Sequence, residues 1–112
     1  MTDSASRSSD GSTAAHIETV DAFDQLLADE SRVLVDFYTD WCGPCNLMAS
    51  VVDELATESD APVVKVNAED VPAVAKRYDV QSVPTFLTFS DGEPTERLVG
   101  MQDKSALAAT LE

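Results

Sequence analysis

Two cysteines are the residues of this chain with the most specific chemistry. Cys42 and Cys45 are its only cysteines, and they lie three positions apart in the segment Trp41-Cys42-Gly43-Pro44-Cys45. A disulfide that closes so short a loop stabilises a fold only slightly, so structural crosslinking is a poor explanation for the pair. Where thiols are kept reduced, a Cys-x-x-Cys pair is more often catalytic or metal-binding. The spacing therefore predicts reversible thiol chemistry or a metal site.

Zinc is the first alternative, and the available ligands argue against it. A structural zinc ion takes four ligands, whereas the chain offers two cysteines and a single histidine, His16, at the edge of a polar N-terminal segment. A zinc site shared between two chains stays open, as does a cysteine pair packed as small hydrophobic side chains. We predict that the chain holds no metal and needs no cofactor beyond a redox-active disulfide between Cys42 and Cys45.

The cysteines lie where a predicted strand is followed by a predicted helix. The run from Val33 to Tyr38 is rich in β-branched and aromatic residues, which is typical of a buried strand. From Cys42 to about Thr57, apolar residues recur with helical spacing. The first N–H groups of a helix lack partners and its dipole is positive there, so this position favours thiolate over thiol at Cys42. Because the thiolate is the attacking form, Cys42 is the candidate nucleophile.

The residues between and beside the cysteines suit that position. Gly43 permits a tight turn and keeps side-chain bulk away from the sulfur, and Pro44 suits the first helical turn, where a missing N–H costs nothing. The spacing places the sulfur of Cys45 on the same helix face as that of Cys42, within reach of a disulfide. Trp41 is expected to be a partly exposed ring that helps to shape a substrate groove.

Strands and helices are predicted to alternate along the chain. The chain begins with a short edge strand at 16–19 and a helix from Val20, with Thr19 or Asp21 as N-cap, before the strand and long helix described above. A strand at 63–67 and a short helix capped by Asp70 follow. A strand at 85–89 then pairs with a hairpin partner at 97–99 through the turn Asp91-Gly92, and a helix at 104–111 with Asp103 as N-cap completes the order. This order predicts an α/β three-layer sandwich in which a central mixed β-sheet is flanked by helices. The first two crossovers imply parallel pairing, and the hairpin adds an antiparallel edge.

Length and composition restrict the remaining possibilities. A chain of 112 residues fits one domain, which we place at 15–112, after a polar tail at 1–14 that we expect to be disordered. Seven Lys and Arg face 21 Asp and Glu, a net charge of −14 that repels nucleic acid and anionic membranes. No apolar run is long enough to span a bilayer, and the N-terminus lacks the apolar region of a signal peptide. We therefore predict a cytoplasmic protein.

The excess of acidic residues has two interpretations. It can simply keep a small protein soluble. Alternatively, it marks adaptation to a very salty cytosol, because lysine is scarce and acids are spread over every segment. At low ionic strength such carboxylates repel one another, whereas molar salt screens them to within about 3 Å. The second interpretation predicts a fold that salt stabilises.

Beyond the cysteine pair, the chain resembles the thioredoxin family in the order and spacing of several segments. These segments are 33–45, 66–78, 80–85, 91–92 and 98–100. The resemblance covers about His16 to the end and implies a thioredoxin-like fold and a protein-disulfide reductase. Cys42 would attack disulfides of client proteins and Cys45 would resolve the mixed disulfide. A thioredoxin reductase-like donor would restore the dithiol, and the protein would be a monomer.

The resemblance also implies roles for residues outside the motif. Pro84 matches a proline that follows a cis peptide bond beside the disulfide, and the backbone of Val83 would pair with an extended substrate segment. Gly100 matches a glycine of the substrate-facing surface. Asp36 matches a buried acid that helps to remove the proton of the resolving thiol, unless its side chain points to solvent at the end of the strand. Lys65 matches a lysine that pairs with this acid, although an exposed strand lysine is the alternative.

Three departures from the family pattern accompany these matches. Tyr38 stands where tryptophan is usual, Asn46 where lysine is common, and Ser50 where a proline usually kinks the long helix. These departures are expected to affect the orientation of Cys42 and Cys45 and the choice of partner proteins more than the type of reaction. A different function, a non-catalytic binding module of the same fold, remains the alternative, and the intact cysteine pair argues against it.

Overall fold

The computed structural model describes residues 14–112. Within that range the chain forms five strands and four helices. In chain order they are β1 (Ala15–Ile17), α1 (Val20–Asp29), β2 (Arg32–Tyr38), α2 (Gly43–Glu58), β3 (Val63–Asn67), α3 (Pro72–Arg77), β4 (Thr85–Ser90), β5 (Glu93–Val99) and α4 (Lys104–Ala109). The predicted order of strands and helices is thereby confirmed.

The five strands form one mixed sheet in the order β1-β3-β2-β4-β5. Strands β1 and β2 both run parallel to β3, as the first two crossovers require. Strand β4 is antiparallel to both β2 and β5. Strand β2, which leads to the cysteines, is therefore central in the sheet and hydrogen-bonded on both sides.

Two apolar layers cover the two faces of the sheet. Alternate side chains of β2 project into opposite layers: Val33, Val35 and Phe37 lie in the first layer, and Leu34 lies in the second. The first layer includes Phe23 of α1 and Val74 of α3; the second layer, formed with α2 and α4, contains Met48, Val52, Leu55 and Leu107. The structure confirms the α/β three-layer sandwich.

The predicted caps are correct for α1 and wrong for α3. Thr19 is the N-cap of α1, and its hydroxyl accepts the Ala22 N–H at 3.0 Å. Asp70 does not cap α3, because the N-cap is Val71 and no side chain bonds the helix start. The side-chain oxygen of Asn67 accepts the N–H groups of Glu69 and Asp70 instead, so an asparagine turn leads the chain into α3.

The C-terminal hairpin and helix differ from the predicted bounds. Strand β5 begins four residues earlier than predicted and includes Pro94, which an edge strand tolerates because its outer side needs no N–H donor. Asp91 and Gly92 form the predicted turn, both with positive φ, 51° and 85°. Asp103 occupies the N-cap of α4, but its side chain makes no capping bond, and the helix ends two residues before the predicted end.

The N-terminal boundary also shifts. Ala14, which the sequence pattern places in the tail, is buried in the second apolar layer. The edge strand occupies Ala15–Ile17 rather than 16–19. The rest of the proposed tail lies outside the described residues. From Ala14 to the C-terminus, none of the helices has the length and hydropathy needed to cross a membrane.

Candidate active site

The sulfurs of Cys42 and Cys45 are joined in a disulfide at the start of α2, with their Cα atoms 5.2 Å apart. Cys42 is the N-cap of the helix, and its sulfur accepts the N–H of Cys45 at 3.0 Å. Both residues are almost completely buried. The helix start therefore directs a backbone donor at the sulfur of Cys42, where negative charge on that atom would be stabilised.

The residues on either side of Cys42 in the sequence are exposed. Gly43 and Pro44 are exposed at the start of α2, and apart from the chain neighbours and the backbone of the helix itself no atom lies within 4 Å of where a Cβ on Gly43 would stand. The Trp41 side chain is 88% exposed. In the described part of the chain, no group of three or more His, Cys, Asp or Glu side chains is arranged to hold a metal ion.

The residues assigned to substrate binding meet at the same end of the sheet as the cysteines. Thr85 at the start of β4 pairs with Phe37 near the end of β2, and with Val99 at the end of β5. The Val83–Pro84 peptide bond just before β4 is cis. The N–H of Gly100 donates to the Pro84 carbonyl oxygen at 2.8 Å, which fixes the two segments side by side.

Asp36 lies in the layer between the sheet and α2, and its alternative placement in solvent is wrong. It is 3% exposed and follows Leu34 on the same face of β2. Helix α2 buries Cys45, Met48, Val52 and Leu55 on one side. Because that side packs with Leu34, Asp36 and Cys45 both face the layer between β2 and α2.

The environment of Asp36 favours its neutral form. Burial raises the pKa of Asp36 to about 7; the positive charge of Lys65 opposes this shift, and the negative charge of Asp53 adds to it. Within residues 14–112, its buried Oδ1 atom has no hydrogen-bond partner. Lys65 is partly buried and directly opposite Asp36 in register, but the ion pairs within 4.0 Å among residues 14–112 do not include these two, so the direct pairing expected for Lys65 is not observed.

Some residues near the site were missed from the sequence. Asp53 lies on α2 within electrostatic reach of Asp36, but its helical spacing places it off the apolar face of the helix, so the sequence pattern carries no signal for it. The other missed residues are exposed apolar side chains near the disulfide in sequence or in the paired strands: Leu47, Val99 and Met101. Isolated apolar residues of this kind carry no sequence signal, because surface hydrophobic residues are common.

Comparison with known proteins agrees with this geometry. A family model described as thioredoxin matches residues 14–112. Thioredoxin 1 of Synechococcus elongatus is 41% identical over 103 residues, which cover 90% of this chain and 96% of that protein. A thioredoxin of Mycobacterium tuberculosis is 40% identical over 91% of both chains. A mutant thioredoxin from Halobacterium salinarum superposes with a TM-score of 0.84 at 40% identity, covering 88% of both chains.

These matches span the whole described fold, including the strand, the disulfide and the turn that carries Pro84. Thioredoxins exchange a dithiol for a disulfide and use no other cofactor. The paired sulfurs at the helix start are the groups that this reaction needs, which favours the oxidoreductase over the binding module. The chain belongs to the thioredoxin family and is a thiol–disulfide oxidoreductase that reduces protein disulfides.

Proposed function

We propose that Cys42 is the attacking thiolate, Cys45 the resolving thiol and Asp36 the base that takes the proton of Cys45. The observation that carries this assignment is the position of Cys42 as N-cap of α2, with the Cys45 N–H directed at its sulfur. The same donor and the positive end of the helix would stabilise a thiolate at Cys42 after reduction. Cys45 is the third residue of α2, and its own N–H is the donor that is directed at the sulfur of Cys42.

The proposed exchange has two displacement steps. The Cys42 thiolate attacks one sulfur of a client disulfide, forms a mixed disulfide, and expels the other client sulfur as a thiolate. Cys45 then loses its proton to Asp36 through water, and its thiolate attacks the sulfur of Cys42. The mixed disulfide breaks, the second client sulfur leaves, and the Cys42–Cys45 disulfide forms. Two electrons pass to the client, and an upstream reductase then supplies two new electrons that reduce the Cys42–Cys45 disulfide to the dithiol.

Burial and charge support Asp36 as the base. A carboxylate with an ordinary pKa would be too weak a base for a thiol, whereas the pKa of Asp36, raised by burial to about 7, matches the working pH. Its place between β2 and α2 gives it access to the side of the helix that buries Cys45. We assign Lys65 to the control of this carboxyl, since it is the nearest positive charge in the register of the sheet.

The substrate surface in this proposal surrounds the disulfide. The backbone of Val83 would add an extended client segment as a short strand, with Pro84 and Gly100 beneath it. Trp41, Gly43 and Pro44 would form the opposite wall. The exposed side chains Leu47, Val99 and Met101 support an apolar docking surface, because such groups gain most from being covered.

The finer biological assignments also belong to this proposal. We infer that the protein works as a monomer in the cytoplasm, accepts electrons from a thioredoxin reductase-like donor, and passes them to client protein disulfides. We further infer a salt-adapted protein, from its acidic composition and its likeness to the Halobacterium salinarum structure.

Rapid mixing of the reduced protein with a peptide disulfide tests the three roles. Cys45→Ser should accumulate the mixed disulfide, and Cys42→Ser should form none. Asp36→Asn should form it at the normal rate but resolve it at least about tenfold more slowly near neutral pH, because the base is lost. Asp29→Asn, which removes an exposed carboxylate instead, serves as the matched control. An unchanged resolution rate in Asp36→Asn would rule out the base.

A further inference from the structure

Three side chains of different charge type lie in one row across the sheet. The strand register pairs His16 of β1 with Lys65 of β3, and Lys65 with Asp36 of β2. Because residues paired in register project to the same face, an imidazole, an ammonium group and a carboxyl stand side by side. Tyr38 lies two residues beyond Asp36 on β2 and therefore projects to that face as well.

The ammonium group of Lys65 contacts Tyr38 rather than Asp36. The Nζ atom lies 4.7 Å from the centroid of the Tyr38 ring, within the range of a cation–π contact. Among residues 14–112, the ion pairs within 4.0 Å do not include Lys65 with Asp36. The lysine thus acts on the carboxyl from a distance, although the register places the two residues opposite each other.

The ring of Tyr38 is itself held by His16. The Nδ1 atom of His16 lies 3.1 Å from the Tyr38 hydroxyl oxygen in a hydrogen bond. The two rings also meet edge to face, with centroids 5.9 Å apart and planes at 78°. The ring is therefore contacted at its hydroxyl by the histidine and on its face by the lysine, which restricts its rotation.

We propose that Tyr38 is a positioning residue for the exchange reaction: its ring, held by His16, keeps the Lys65 ammonium group from pairing directly with Asp36. A closed ion pair would hold the carboxyl ionised and make it a weaker base for Cys45. This inference rests on the proposed role of Asp36 as that base. The other charged groups facing these residues are Asp53 on α2 toward Asp36, and Asp40 and Asp70 toward Tyr38.

The carboxyl carbon signal of Asp36, followed by NMR against pH in the oxidised protein, measures the effect without interference from thiols. Tyr38→Leu should lower the Asp36 midpoint by about one pH unit, because the released ammonium group can then approach the carboxyl. Tyr38→Phe keeps the aromatic face and should shift the midpoint by less than half as much. A midpoint that stays or rises in Tyr38→Leu would overturn the proposal.

A Lys65→Met background separates positioning from simple shielding. Lys65→Met alone should raise the midpoint, because a positive charge is lost. Adding Tyr38→Leu to the Lys65→Met variant should cause no further shift of the Asp36 midpoint. If the midpoint still falls in the double variant, the ring acts only by excluding water from the carboxyl, and the proposal would be wrong. The titration reads the carboxyl directly, so it remains valid even if Asp36→Asn leaves resolution of the mixed disulfide unchanged and the base role fails. If Asp36 is the base and Tyr38 positions Lys65, the pH midpoint of the rate of mixed-disulfide resolution should shift together with the Asp36 midpoint.

Discussion

The carboxyl of Asp36 occupies a position in the core where its strand neighbours are all apolar. Val33, Leu34, Val35 and Phe37 are fully buried around it. Because burial raises the pKa of Asp36 to about 7, the neutral and ionised forms are both populated near neutral pH. An apolar residue would pack there without this penalty, so packing does not explain the aspartate. The proposed role as a base, which needs a group that gains and loses a proton in place, would explain it.

Asp36→Asn should stabilise the oxidised protein in a pH-dependent way. The folded-state pKa lies above the ordinary value of 3.8, so ionisation of Asp36 opposes folding. The penalty is absent below that value, grows up to about pH 7, and is complete above it. The stability difference between variant and wild type should therefore increase from pH 4 to pH 8, by up to about 4 kcal/mol. Urea unfolding across this range measures it.

The exposed substitution Asp29→Asn provides the control, since a solvated carboxylate should give a small and nearly constant difference over the same pH range. A difference for Asp36→Asn that does not grow with pH would contradict the burial-driven shift.

The sequence predicts single residues well where the signal is local. The sequence places Cys42 and Cys45 at the start of a helix and Asp36 inside an apolar strand. The structure has the cysteines at the start of α2 and Asp36 buried in β2. The contacts of Tyr38 with His16 and Lys65 could not be predicted. They require β1 to lie beside β3 rather than beside β2, and the sequence does not determine that strand order.

Helix α2 joins the chemistry to the core. Its first turn carries the disulfide, and its later turns bury Met48, Val52 and Leu55 against the sheet. The helix is continuous from Gly43 to Glu58, through the exposed Ser50. Movement of the helix axis would therefore move the sulfurs relative to Asp36, which is fixed in β2.

Ser50→Pro should lower the free energy of unfolding of the oxidised protein. The substitution removes an N–H from the helix interior and sets its ring against the carbonyl of Asn46, at a cost of up to about 3 kcal/mol. Ser50→Ala should be neutral or slightly stabilising, because alanine is the better helix former. Urea unfolding of the oxidised variants compares the two, and a Ser50→Pro variant as stable as Ser50→Ala would show that α2 accommodates the kink freely.

The sequence predicts element boundaries correctly where the hydrophobic pattern ends sharply. Strand β3 is an example, because its bounds agree with the prediction. Boundaries were missed where tertiary pairing overrides local preference. Pro94 argues against a strand in isolation, yet the outer edge of the sheet accepts it in β5. The antiparallel pairing of β4 with β2 was likewise not determined, because the connection through α3 permits either direction.

The charge of the whole molecule is poorly compensated by ion pairs. In the described part of the chain, the ion pairs are Arg77 with Asp24, and Lys104 with Glu54 and Glu58, all between exposed side chains. Other basic side chains are used elsewhere: Arg32 donates to the Leu111 carbonyl and Arg97 to the backbone carbonyl of Tyr78. Exposed pairs of this kind contribute little to stability, so they do little to offset the repulsion that a net charge of −14 creates.

This repulsion predicts that the fold gains stability from salt. Raising KCl from near zero to molar concentration shortens the screening length from tens of ångströms to about 3 Å, which should remove most of the repulsion among the carboxylates. We expect the melting temperature to rise by roughly 10 °C, the change that a few kcal/mol produces in a domain of this size.

The double variant Glu93→Gln, Glu96→Gln, on the exposed edge of β5, should reduce the dependence of the melting temperature on KCl because it removes two of the repelling charges. Sucrose, which stabilises folds without screening, should affect both proteins equally. A melting temperature that stays flat in KCl would mean that the acidic surface serves solubility alone.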